Sequence, residues 1–225
     1  MLGALAVVAV AIAVSNGGGS SSATGLQSGA KAAQTQTQVN SLLSGIPQTG
    51  AVLGNPNAKV TMDYYGDLQC SHCRDFTLNG GWPQLVANDV RQGKVKVVYR
   101  SFQTATPDVQ TFQTQQVAAL AAGKQNKFWN FVELFYHEQG AEGTSYVNEN
   151  YLSGLAQQAG LNVNAWKSAR NEPSLLAQVQ ADGQSGTAAG VQGTPTLIFS
   201  GPKGKVSPSS IPTYSDLQKA ISQVS

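Results

Sequence analysis

Cys70 and Cys73 are the two cysteines of the chain, three positions apart in the segment Cys70-Ser71-His72-Cys73. On the first turn of a helix an i, i+3 pair shares one face, close enough for the sulfurs to bridge and part reversibly. As a structural staple such a bridge closes almost no loop and contributes little, and a disulfide-built protein would spread several pairs along its sequence. Redox chemistry is therefore the leading use. At a helix start Cys70 meets unpaired backbone N–H groups and the positive end of the helix dipole, both of which favour a thiolate. Cys70 is the expected nucleophile and Cys73, deeper, the resolving thiol. His72 is the third candidate: an imidazole between the cysteines, as a cation or a donor, steadies the Cys70 thiolate. A steadier thiolate favours the reduced pair, so the disulfide is given away readily, as an oxidant does. Ser71 is small and able to cap the helix start.

Thiolates also bind metals. A structural zinc site needs four ligands; Cys70, Cys73, His72 and His137 are the only cysteines and histidines in the chain, and His72 sits inside the motif, badly placed to reach the same ion. No metal site is assigned. A two-cysteine copper(I) module stays as the rival from another class, because soft thiolates suit that ion. The 225 residues carry a net charge of only +2 with no basic stripe, which argues against a nucleic-acid partner.

The elements that must position the pair are readable in outline. Residues 1–14 are nearly unbroken apolar sequence, the length of a signal-peptide core and short of the ~20 residues of a spanning helix; they read as a signal peptide or membrane anchor. Residues 15–50, rich in Gly, Ser, Thr, Gln and Ala, read as a flexible tether, with a short helix over 36–43 as the one element considered. The folded domain is expected over 51–225. A strand over 59–65 puts Val60, Met62 and Tyr64 on one face, and a second runs over 94–102. Cys70 lies just past the first strand, where a helix starts; Gly80, Gly81 and Pro83 break it. About 104–189 is helical, opening with Thr106 as cap and Pro107 at the first helical position. Phe128, Phe131, Val132 and Phe135 mark one amphipathic helix of that run. A third strand over 196–200, a hairpin partner near 205–206 and a helix over 214–224 close the chain. The helical run is too long for one crossover, so the fold class is α/β with an inserted α-helical subdomain.

Pro195 opens the third strand, where its missing N–H matters least, and an X–Pro bond is where a cis peptide costs little. A cis bond would hold Thr194 extended with its backbone groups free to pair with an extended substrate segment. Thr194 and Pro195 are the candidate substrate-binding residues.

Taken together, the segments 66–73, Lys127-Phe128-Trp129 with Leu134-Phe135, 155–161 and 190–196 resemble the DsbA-like branch of the thioredoxin superfamily, and the resemblance runs from about 55 to 224. It implies a thioredoxin-like fold with a helical insertion, work outside the cytoplasmic membrane, Cys70 as nucleophile, Cys73 as resolving thiol and a substrate-binding loop at Thr194-Pro195. It implies no bound cofactor. The partners it implies are reduced or misoxidised exported proteins and a quinone-linked membrane reoxidase of the DsbB or VKOR-like kind. The expected activity is protein thiol–disulfide exchange in the donating direction, with a reductase or isomerase of the same fold as the alternative.

The sequence departs from the family pattern at one functional position. Where the family often places an acid, six residues before the first cysteine, this chain has Tyr64. Asp63 is one residue away, and a one-residue step along a strand points to the other face, so only a bulge would bring it to Cys73. Asp67 in the following loop is the other acid considered for proton transfer, with a strand-edge charge and a loop cap as the plainer uses of the two. Ser71 stands where the best-known members have proline.

Overall fold

The computed structural model describes residues 25–209 and 211–225. The apolar segment 1–14 and residues 15–24 of the expected tether lie outside the described residues. A six-stranded sheet runs in the order β1-β2-β4-β3-β5-β6, from β1 (Gln48–Thr49), β2 (Val52–Leu53), β3 (Val60–Gly66), β4 (Val95–Ser101), β5 (Thr196–Gly201) and β6 (Gly204–Val206). β3 and β4 are parallel and in unbroken register, Asp63 beside Val98 and Tyr64 beside Tyr99. The other neighbours are antiparallel.

Period-two alternation makes the two central strands. Val60, Met62 and Tyr64 of β3, with Val95, Val97 and Tyr99 of β4, are buried on one face, while Thr61, Asp63, Lys96, Val98 and Arg100 alternate to the other. The crossover between them is α2 (Ser71–Asn79), α3 (Trp82–Leu85) and a π-helical turn over Val86–Val90. The break at Gly80 and Gly81 gives Trp82 its position beneath Tyr64, ring centres 6.0 Å apart.

Between β4 and β5 lies the inserted subdomain: α4 (Val109–Gly123), α5 (Phe128–His137), α6 (Glu149–Gln158), α7 (Val163–Ala169) and α8 (Pro173–Ala188). Asp108, Asn148 and Asn162 cap α4, α6 and α7 by accepting the backbone N–H three residues on. The first of these corrects the expected start at Thr106: its hydroxyl is spent on Asp67, and the cap passes to Asp108. Helix α5 is buried from Phe128 through Tyr136, and its two polar residues in that stretch are paired inside the fold, Asn130 with Gln48 and Glu133 with Trp82. Trp129 stacks on Trp82 at 4.8 Å and so ties the insertion to the redox crossover. The terminal α9 (Tyr214–Val224) opens with a Thr213–Asp216 capping box and buries Leu217, Ala220, Ile221 and Val224.

The tether is shorter than composition suggests. From Gly25 onward residues 25–50 belong to the fold, with α1 (Gly29–Leu43) packed on α5. Its buried side chains are Thr35, Val39 and Leu43, a stripe one residue wide at four-residue spacing, while most of the Ala, Gln and Ser around it face solvent. The helix is also pinned by polar groups: Gln36 donates to the Gln158 carbonyl (2.5 Å) and Arg91 to the carbonyls of Leu42 and Ser44 (2.7 and 2.5 Å). Gln48–Thr49 then adds the edge strand β1.

Candidate active site

β3 ends at Gly66, and the turn 67–70 delivers the chain into α2. Cys70 is the N-cap of that helix and has extended backbone, φ −72° and ψ 121°; its N–H reaches the Asp67 carbonyl (3.0 Å) and its own carbonyl accepts from Arg74 (3.1 Å). Cys73 follows on the same face, fully buried, whereas Cys70 keeps 5% of its surface exposed. Both are free thiols.

The loop before β5 closes over the pair. The Thr194–Pro195 peptide bond is cis, and the Cys70 thiol donates to the Thr194 carbonyl at 3.2 Å. Cys70 is held down to about pKa 6 chiefly by the hydrogen bond from the Cys73 thiol; burial opposes this, and the Thr194 side chain and the backbone N–H groups of Cys73 and His72 add to it. Cys73 is pushed well above the thiol range, first by burial and then by its bond to, and the charge of, Cys70. One thiolate and one thiol thus share a proton across the pair, with the charge on the sulfur that solvent can reach.

His72 enters this arrangement differently from expectation. Its side chain is exposed, and its contribution to Cys70 is its backbone N–H.

Asp67 is fully buried, and each of its oxygens accepts three hydrogen bonds. Oδ1 takes Gln69 N, Thr106 Oγ1 and Gln115 Nε2; Oδ2 takes the backbone N–H groups of Thr104, Ala105 and Thr106. The carboxylate is committed to the loop that follows β4, which is the loop-cap use considered for it beside proton transfer. Thr104 of that loop shares a short hydroxyl–hydroxyl hydrogen bond with Thr194. Asp67, Thr104, Thr194 and Cys70 therefore form one chain of contacts joining the redox turn to the cis-proline loop.

The proton-transfer role considered for Asp63 is corrected. It ion-pairs with Arg100 at 2.9 Å, and Arg100 reaches Asp182 of α8 at 3.2 Å, on the sheet face opposite Tyr64. The continuous β3–β4 register leaves no bulge to turn it round. At the position the family often gives to an acid, the Tyr64 hydroxyl donates to the Cys73 carbonyl (3.4 Å) and shares a hydrogen bond with Thr77 (3.2 Å).

Three contributors were not read from sequence. Gln139 donates to the carbonyls of Leu68 and Cys70 (2.7 and 3.1 Å), and Glu142 accepts the Ser71 N–H (2.8 Å); both lie some seventy residues from the motif, beyond any local pattern. The third is Glu133, buried on α5, which accepts a short hydrogen bond from the Trp82 indole. It was visible as a lone charge in an apolar run. Burial pushes its carboxyl up to about 8 from an ordinary 4.5. Between those values the folded protein carries a proton that the unfolded chain has lost, so stability falls as pH rises through that window. Glu133→Gln should remove this slope, at most about 1.4 kcal/mol per pH unit. Urea unfolding of both proteins across the window checks it, and parallel pH profiles would refute it.

The sequence matches the family described as "Thioredoxin" over residues 47–223. The chain belongs to this family. Among solved structures, the thioredoxin-family chain is similar to oxidised BdbD from Bacillus subtilis, with a TM-score of 0.67 and 21% identity, covering 80% of this chain and 96% of that one; at that identity the likeness carries the fold. Disulfide bond formation protein D of Bacillus subtilis is 24% identical over 168 residues, 71% of this chain and 72% of that protein. An Na(+)/H(+) antiporter NhaA of Herminiimonas arsenicoxydans is 25% identical over 155 residues, 69% of this chain, which spans only 23% of that protein's length. Within the thioredoxin frame the CxxC at the N-terminus of α2 and the proline loop before β5 meet at the C-terminal end of β3.

Proposed function

We propose that this thiol–disulfide oxidoreductase donates disulfides to exported proteins through Cys70 and Cys73. The observation that carries the direction is the split between the two sulfurs: Cys70 held near 6 and Cys73 pushed up. A stabilised Cys70 thiolate favours the reduced pair, and a pair that prefers to be reduced gives its disulfide away.

In the oxidised form a substrate thiolate attacks Cys70 Sγ. The Cys70–Cys73 bond breaks, its electron pair leaves on Cys73, and Cys73 takes a proton in its buried site. A second substrate thiolate then attacks the substrate sulfur of the mixed disulfide and releases Cys70 as thiolate. Two substrate thiols lose two electrons to the pair. The Thr194 carbonyl, already within hydrogen-bond reach of Cys70 Sγ, is placed to align an extended substrate segment beside the reacting sulfur. His72, exposed beside the pair, is assigned to the same site.

Restoring the disulfide falls to a membrane reoxidase linked to quinone, of the DsbB or VKOR-like kind. The protein then works outside the cytoplasmic membrane, exported or anchored by residues 1–14. The similarity to a protein named for disulfide bond formation supports the donating activity. Among the described residues no helix is long and apolar enough to cross a membrane.

Equilibration with glutathione tests the direction. Donation calls for a potential near about −120 mV, whereas a value near about −270 mV would make the protein a reductase.

A further inference from the structure

The segment joining α5 to α6 crosses the N-terminus of α2 as a strap. At one end Gln139 holds the carbonyls of Leu68 and Cys70. At the other the Tyr146 ring lies over Gly140, where a Cβ would stand 2.7 Å from ring carbons, and packs at 5.2 Å against Tyr151 of α6. Between these anchors Glu142 delivers its carboxylate to the Ser71 N–H at 2.8 Å.

That N–H belongs to the first residue of α2. It is one of the donors a helix leaves unpaired at its start, next in line to the His72 and Cys73 N–H groups that steady the Cys70 thiolate. A solvent-exposed carboxylate thus sits at the positive end of the helix that Cys70 depends on. We propose that Glu142 sets the redox poise of the Cys70–Cys73 pair: by holding the Ser71 N–H it opposes the thiolate that reduction places on Cys70, and so makes the protein a milder oxidant than its motif alone would give. Glu142 touches no reacting atom and acts as a positioning residue. The hydrogen bond from Ser71 is the main cause that favours the ionised form of Glu142, with smaller contributions from His72 and Arg74 of α2; the Tyr146 phenol is the other titratable group beside it on its own segment.

The coupling is reciprocal. The strap grips α2 more firmly when Cys70 is in its disulfide and less firmly when it is a thiolate, so reduction loosens the segment beside the reacting sulfur.

The proposal rests on Cys70 and Cys73 being a redox pair, and its test separates the two. In the full-length protein, thiolate absorbance against pH and the glutathione equilibrium are measured for wild type, Glu142→Gln and Glu142→Asp. The Gln variant should show a lower Cys70 midpoint and an equilibrium moved about two- to fivefold toward the reduced pair, with the difference shrinking in high salt. The Asp variant, keeping the charge, should move less than the Gln variant. A Gln variant with an unchanged midpoint, or a higher one, would overturn the role of Glu142 while wild type still exchanges with glutathione; a raised midpoint is what mere loosening of α2 would give. Wild type failing to exchange at all would instead overturn the redox reading.

Discussion

Cys70→Ala should abolish disulfide donation, lowering the rate of substrate oxidation by about a thousandfold or more. Cys73 has no means of replacing it: it is wholly buried, and its thiol is pushed far above neutral pH by that burial, so it offers neither access nor thiolate. Cys73→Ala should behave differently. It keeps the accessible sulfur but removes the largest cause of its lowered pKa, the hydrogen bond from Cys73. Its Cys70 should titrate above wild type and, given an external disulfide such as oxidised glutathione to attack, should accumulate long-lived mixed disulfides, since no Cys73 remains to displace the attached thiol. Oxidative refolding of a reduced substrate, with mass spectrometry of trapped adducts, reads both effects. Full activity in Cys70→Ala would place the nucleophile elsewhere.

Asp67→Ala should give the largest loss of stability in the site, about 3–5 kcal/mol in denaturant unfolding. The substitution strands buried donors, among them three consecutive backbone N–H groups at Thr104, Ala105 and Thr106, in a place water reaches poorly. Asp67→Asn keeps the shape but offers one accepting oxygen, and its amide faces groups that are themselves donors; it should fall between Ala and wild type. The functional consequence follows from Thr104. Once released, it no longer fixes the Thr194 hydroxyl, and the loop over Cys70 loses its register. Asp67→Asn should therefore slow substrate oxidation even under conditions where it remains folded. A variant as stable as wild type would show that the loop is held by other contacts.

The chemistry of the site was legible because it is local. Two cysteines at helix-turn spacing just past a strand define the pair, and the alternation of Val60, Met62 and Tyr64 fixes which face they stand on. The same alternation sends Asp63 to Arg100 instead of Cys73. The caps that bound the helices are likewise local, save at Thr106, whose hydroxyl is claimed by a carboxylate 39 residues away. What escaped was long-range or sparse. Gln139 and Glu142 meet the motif across some seventy residues with no pattern to announce them. Helix α1 was read only in its second half, 36–43, and as part of a tether, because Thr35, Val39 and Leu43 are a thin stripe in a composition that otherwise reads as linker. His72 was read from its ring, yet its recorded effect on Cys70 comes through its backbone N–H, which any residue but proline at position 72 would supply.

The most direct test of this account is a pH titration of the Cys70 thiolate in the reduced, full-length protein, followed by its ultraviolet absorbance with Cys73→Ala alongside. A thiolate stabilised by Cys73, Thr194 and the start of α2 predicts a wild-type midpoint near 6 and a clearly higher one in the variant. A wild-type midpoint in the range of a free thiol, about 8.5, would contradict it.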